Sequence, residues 1–92
     1  MSKTTLRVKG TGKICPHLDQ VKVNNSKIPK CQECGTAENL RLCVTCGHVG
    51  CCESDNAHAK LHSEKTGHPI IRQMPVTSMS FVWCYGCGDY LV

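Results

Sequence analysis

The sequence predicts a small α+β domain built on short antiparallel strands and held together by metal. Three observations carry this. The chain has 92 residues with 40% hydrophobic content but only four aromatic residues, so its core is modest and a staple is needed. It has nine Cys and five His, mostly clustered. Short segments with strand-like alternation surround one stretch of helical pattern.

The elements follow in chain order. Residues 1–13 (MSKTTLRVKGTGK) read as a basic, flexible leader with a short strand at Thr5–Val8, loosened by Gly10 and Gly12. The zinc-binding domain itself is expected over residues 14–92. Val21 and Val23 alternate before the turn Asn24-Asn25-Ser26. Leu40–Val44 and His48–Cys51 are strand candidates. A helix is expected from Ser54 to Thr66, with Ser54 or Asp55 as N-cap, Ala57, Ala59, Lys60 and Leu61 inside, and Gly67 at its C-terminal end. Pro69–Met74, Met79–Tyr85 and Tyr90–Val92 read as extended segments.

Composition excludes several classes of function. No stretch approaches the ~18 consecutive apolar residues of a membrane span, and Met1–Gly10 lacks the apolar region of a secretory signal. A cytoplasmic, reducing compartment is therefore expected. There, clustered Cys point to metal, and an odd count of nine fits a disulfide framework poorly. The charge is lopsided: residues 1–30 carry seven Lys or Arg against Asp19 alone, whereas residues 31–92 carry four basic against six acidic groups. With eight thiolates and three Zn²⁺ the net charge falls from +4 to about +2. Such a value does not favour nucleic acid, and no aromatic residues interleave the N-terminal lysines to stack on bases. A monomer without membrane attachment is expected.

Twelve candidate metal ligands occur: Cys15, His17, Cys31, Cys34, Cys43, Cys46, Cys51, His58, His62, His68, Cys84 and Cys87. Structural zinc takes four N or S ligands in a tetrahedron, so twelve fill three sites. Three C-x-x-C pairs, at 31/34, 43/46 and 84/87, are each followed by Gly. A tight turn there lets backbone N–H groups face the thiolate. A thioredoxin-like pair would instead open a helix. His58 and His62 share a helix face and by spacing alone could hold one ion, but Ala59 stands where a metalloprotease helix carries its Glu base. Three closed sites leave no coordination position for substrate, so no enzyme is expected. Cys51 and Cys52 are adjacent, and spacing permits either as ligand. His48 and the remaining Cys read as a buried thiol beside a supporting or surface imidazole rather than a nucleophilic pair.

Cys15-Pro16-His17, Cys31-x-x-Cys34, Cys46-Gly-His-Val-Gly-Cys51, Gly67-His68-Pro69 and Trp83-Cys84-Tyr85 together resemble the ubiquitin-hydrolase-type (UBP-type) zinc finger over residues 15–92. This family occurs in deubiquitinating enzymes and in a cytoplasmic histone deacetylase. The resemblance implies a twisted, mainly antiparallel sheet with one or two flanking helices and three zinc ions in cross-braced pairing. One ion would take Cys15, His17, Cys84 and Cys87; a second Cys31, Cys34, Cys51 and His58; a third Cys43, Cys46, His62 and His68. It also implies a pocket for a protein C-terminal tail, that of ubiquitin or a ubiquitin-like protein, with Trp83, Tyr85 and Tyr90 as its aromatic residues.

Three positions depart from that pattern. Arg41 stands in place of a Trp, and Cys52-Glu53 in place of the Gly-Arg whose cation meets the tail. Glu53 would repel a carboxylate there, while Arg41 either supplies the cation from the other wall or pairs with Glu53. The expected function is therefore a non-catalytic zinc-binding module that recognises a protein tail, weakened at these positions. The alternative is a zinc-stabilised interaction module that meets its partner by another surface, and a nucleic-acid binder ranks below both.

Overall fold

The fold is seen in a computed structural model, which describes residues 6–52 and 56–92. A single turn of 3-10 helix, Leu18–Gln20, follows the N-terminal segment. Five strands and one helix come next: β1 Leu40–Cys43, β2 Val49–Cys51, α1 His58–Thr66, β3 Ile70–Gln73, β4 Val82–Cys84 and β5 Asp89–Leu91. The strands form one antiparallel sheet in the order β2-β1-β3-β4-β5. This is the α+β architecture expected.

Alternate residues of a strand point to opposite faces, and the register shows which face is core. Leu42 pairs with Val49 and Arg72, Arg72 with Val82, and Val82 with Leu91; Ile70 pairs with Cys84. Leu42, Val49, Ile70 and Cys84 have no exposed surface, and they join Leu40, Val44 and Leu91 in the core. Each such aliphatic side chain contributes about 1.5–3 kcal/mol by leaving water. The other face carries Arg41, Ile71, Trp83 and Tyr90, with Ile71 opposite Trp83 and Trp83 opposite Tyr90. That face positions the groove described below.

Helix α1 packs on β1 and β2 through Ala59, which is buried. The approach is close enough that a Cβ on Gly50 would lie 2.6 Å from the Ala59 amide nitrogen. The helix is shorter than the sequence pattern suggests. Ala57, at φ 57°, is left-handed and cannot continue a right-handed helix, so α1 begins at His58 with no capping side chain. Ala57 donates its amide to the Cys52 carbonyl at 3.0 Å. The expected caps Ser54 and Asp55 lie outside the described residues, as does Glu53. At the other end Gly67 is left-handed, as expected, and its amide bonds the Ser63 carbonyl.

The N-terminal segment also differs from expectation. Met1–Thr5 lie outside the described residues, but residues 6–13 are docked rather than free. Arg7 and Val92 exchange two backbone hydrogen bonds of 2.8 Å, the Lys9 amide bonds the Tyr90 carbonyl at 2.9 Å, and Val8 is buried. Backbone pairing with the β5 edge satisfies groups an edge strand would otherwise leave bare. The extended stretch expected at Met79–Tyr85 narrows to Val82–Cys84, and residues 21–30 form neither helix nor strand, although Lys22 and Val23 both bond the Val44 carbonyl.

Candidate metal centres and aromatic groove

The twelve Cys and His residues assemble into three groups of four: Cys15/His17/Cys84/Cys87, Cys31/Cys34/Cys51/His58 and Cys43/Cys46/His62/His68. Within each group every ligand atom lies within 4.8 Å of the others. The pairing is crossed, because α1 hands His58 to one group and His62 to the next. These two residues are one helical turn apart, but β2 supplies Cys51 on one side and the β1–β2 turn supplies Cys46 on the other.

The distances fit zinc. Four ligands at ~2.3 Å for sulfur and ~2.0 Å for nitrogen stand ~3.3–3.8 Å from one another in a tetrahedron. In the first group Cys15 Sγ is 3.8 Å from Cys84 Sγ and 3.5 Å from Cys87 Sγ, and His17 Nδ1 is 3.3 Å from Cys84 Sγ. In the second, Cys34 and Cys51 are 3.9 Å apart, and His58 Nδ1 lies 3.4 and 3.5 Å from Cys31 and Cys51. In the third, Cys43 and Cys46 are 3.7 Å apart, with His68 Nδ1 at 3.5 Å and His62 Nε2 at 3.3 Å from their nearest thiols. Three thiolates and one imidazole, twice, and two of each, once, is the donor set of a closed structural zinc site.

The turns after the C-x-x-C pairs behave as the sequence requires. Gly35, Gly47 and Gly88 have φ of 78°, 87° and 69°, and each donates its amide to the carbonyl of the first Cys of its pair. The Cys34 and Glu33 amides face Cys31 Sγ, and the Cys87 amide faces Cys84 Sγ. At Cys31 burial is the largest influence and raises the thiol, but hydrogen bonds from the Cys34 and Glu33 amides, with one to His58, leave it below its ordinary value. At Cys84 burial dominates and pushes the thiol up to about 12. Burial likewise lowers His62, keeping the imidazole neutral and able to coordinate.

The fold puts the Cys51 thiol, not that of Cys52, in the second group of four: Cys51 is fully buried there, whereas Cys52 lines the groove. His48 supports the metal residues in a way the sequence could not show. Its ring stacks on His62 at 4.0 Å and 5°, and its Nε2 meets Glu33 Oε2 at 3.0 Å. One imidazole thus joins the Cys31–Cys34 turn of one group to a ligand of another, and it holds the Glu33 carboxyl below the usual carboxylate range.

On the sheet face that carries Arg41 and Trp83 a groove of about 280 Å³ is lined by Arg41, Cys52, Ile71, Phe81, Trp83, Tyr85 and Tyr90. The expected aromatic trio is there, with Trp83 at 4.8 Å from Tyr90 and 6.5 Å from Tyr85. Phe81 joins it at 5.4 Å from Tyr90. The Arg41 guanidinium lies 4.8 Å over the Phe81 ring and donates to the Leu40 carbonyl. Arg41 is thus on the groove wall, while Glu53 is outside the described residues.

Comparison with known proteins bears on these clusters. Residues 31–92 match the family described as the Zn-finger in ubiquitin-hydrolases and other protein. The chain belongs to this zinc-finger family. Among its relatives, this UBP-type finger is 31% identical over 84 residues to ubiquitin carboxyl-terminal hydrolase 44 of Ailuropoda melanoleuca, covering 85% of this chain and 11% of that protein. It is 42% identical over 65 residues to the NAD-dependent deacetylase sir2A of Dictyostelium discoideum, covering 71% of this chain and 12% of that one. It is 40% identical over 62 residues to the human BRCA1-associated protein, covering 67% and 10% respectively. The finger thus spans about a tenth of these curated relatives. A solution NMR structure of protein RPA1320 from Rhodopseudomonas palustris shares the fold with a TM-score of 0.69 and 34% identity, over 83% of this chain and 78% of that one.

Proposed function

We propose that this chain is a non-catalytic, monomeric module that holds three zinc ions and receives the free C-terminal tail of a protein, of the ubiquitin or ubiquitin-like class. One ion would sit in each tetrad, where it would supply folding energy and lock loops from distant parts of the chain together. Cys15 and His17 would thereby be tied to Cys84 and Cys87, and α1 to both ends of the β1–β2 hairpin. The thiols must stay reduced for this, which suits a reducing, cytoplasmic setting.

The observation that carries the tail reading is the groove with Arg41 on its wall. A thin tail of glycines can lie between the faces of Trp83, Tyr85 and Tyr90, and a guanidinium suits a terminal carboxylate. The family's presence in ubiquitin carboxyl-terminal hydrolases supports the choice of partner class. Every Cys and His in the tetrads has a coordination role in this reading, which is why no activity of its own is assigned.

Isothermal titration with a peptide ending in free Gly-Gly, and with its amidated form, tests the proposal. Binding of the free form with at least about tenfold loss on amidation is expected, since a charge-assisted contact contributes ~1.5–3 kcal/mol. Equal affinity for both forms would refute it.

A further inference from the structure

The second and third tetrads are joined by more than the helix they share. Two neighbouring residues of the Cys31–Cys34 turn reach the β1–β2 turn side by side. Gln32 donates its amide to the Val49 carbonyl at 2.9 Å and accepts the Val49 amide on Oε1 at 2.8 Å. Next to it, Glu33 Oε2 lies 3.0 Å from His48 Nε2. The His48 carbonyl accepts the amide of Cys43, a member of the third tetrad, at 2.8 Å. The His48 ring lies face to face on His62, another member of that tetrad, at 4.0 Å and 5°. Among the described residues, no ring contact or ion pair ties the first tetrad to either of the others.

The stack matters because a histidine ring turns easily: its terminal torsion has a broad preference, unlike that of an aliphatic side chain. His62 Nε2 stands 3.3 Å from Cys46 Sγ, and turning the ring out of its plane would carry that nitrogen out of the tetrad. A parallel neighbour resists the turn, since the face contact would be lost with it. His68 meets His62 only edge-on, at 5.4 Å and 64°. His48 has the same torsional freedom, and Glu33 holds its ring. Glu33 is placed in turn by the loop whose amides, its own included, face Cys31 Sγ. We propose that His48 is a positioning residue that couples the second and third tetrads: order in the Cys31–Cys34 turn, passed through Glu33, sets how firmly the third tetrad holds its zinc, while the first tetrad is independent. The inference rests on the zinc reading of the tetrads and not on the tail reading. Such coupling is reciprocal, so the third tetrad steadies the second through the same contacts.

The test is cysteine alkylation of the zinc-loaded protein under limiting chelator, mapped by mass spectrometry. The variants are Glu33→Ala, Glu33→Gln, His48→Phe and the double variant Glu33→Ala/His48→Phe. Glu33 is half exposed and belongs to none of the tetrads, so a purely local role would change Cys31 and Cys34 alone. Glu33→Ala is expected to speed alkylation of Cys43 and Cys46 as well, by about three- to tenfold, in keeping with the cost of removing a partner that orients a metal ligand. That rise stays well below the effect of losing a ligand. Glu33→Gln keeps an acceptor for His48 and should keep the protection. His48→Phe leaves a ring over His62 but cuts it off from Glu33, so it should match Glu33→Ala, and the double variant should go no further than either. Cys15, Cys84 and Cys87 should be unchanged throughout. The Gln32–Val49 bonds remain in every variant, so the two turns keep their places. If Glu33→Ala leaves Cys43 and Cys46 protected, or if the two substitutions simply add, the inference is overturned, while three ions by native mass spectrometry leave the zinc reading standing. If the unmodified protein carries fewer than three, the zinc reading fails and the inference with it.

Discussion

Gly50 is where a single methyl group tests whether α1 is the clamp shared by two metal tetrads. A Cβ at this position would lie 2.6 Å from the Ala59 nitrogen and 2.9 Å from both the Ala59 Cα and the His58 carbonyl carbon. All three are backbone atoms, so no rotamer change relieves the contact, and Gly50→Ala must push α1 away from β2 by about 0.5–1 Å to restore ordinary carbon contact. Metal–ligand distances tolerate only about ±0.2 Å. His58 and His62 ride on the displaced helix and belong to different groups, so both groups should suffer. Overpacking of this kind costs about 1–3 kcal/mol. At fixed zinc concentration that corresponds to a fall in Tm of roughly 5–20 °C for a domain of this size.

The assay is zinc competition with a chromogenic chelator, combined with cysteine alkylation read by mass spectrometry. Cys31, Cys34, Cys43, Cys46 and Cys51 are expected to react sooner in the variant, while Cys15, Cys84 and Cys87 keep their protection. An unchanged Tm together with unchanged alkylation would refute the argument that helix docking sets the geometry of both tetrads. Gly35→Ala is the control: its Cβ meets nothing within 4 Å, but φ is 78°, so about 1 kcal/mol of backbone strain should fall on the Cys31–Cys34 turn alone.

Other expectations can be checked alongside. Replacing His58 with Ala should expose Cys31 and Cys34, and replacing His62 with Ala should expose Cys43 and Cys46; alkylation mapping that frees the same pair in both variants would contradict the crossed pairing. Leu42→Ala, at a position without exposed surface, should cost about 2–5 kcal/mol in chemical denaturation of the zinc-loaded protein. Burial pushes the Cys84 thiol up to about 12 and also raises Cys43, Cys51 and Cys87. Raised thiol values alone favour the fold at low pH and are lost as pH climbs through them. Coordination needs thiolates, however, so with zinc the sign reverses: loading should release protons in a pH-stat, and zinc affinity should fall as the solution is acidified.

Much of the site was legible because metal chemistry leaves local marks. Three C-x-x-C-G units announce their own turns, and the core strands show their alternation at Leu40, Leu42 and at Ile70. The assignment of His58 and His62 to different groups was not available from spacing, since both share a helix face; it came with the family resemblance, and in the structure the two imidazoles lie in separate groups of four. What the residues concealed depends on backbone. The docking of residues 6–13 rests on main-chain hydrogen bonds between Arg7 and Val92 and between Lys9 and Tyr90, which no side-chain pattern records. The start of α1 was misplaced because Ala57, a good helix former, adopts a left-handed conformation between the Cys52 carbonyl and the helix. His48 read as either a supporting or a surface imidazole, because its two contacts, to Glu33 and His62, are distant in sequence. Arg41 stood out as a departure, but only its packing on Phe81 put it on the groove wall.

The count of zinc ions carried by the folded chain bears most directly on the whole account, because the three tetrads draw their residues from α1, the β1–β2 hairpin, the end of β4 and the loops around the sheet that carries the groove. Native mass spectrometry of the protein prepared under reducing conditions is expected to show three zinc ions per chain, with loss of dispersed NMR signals on chelation. Two or fewer ions in a fully folded sample would contradict it.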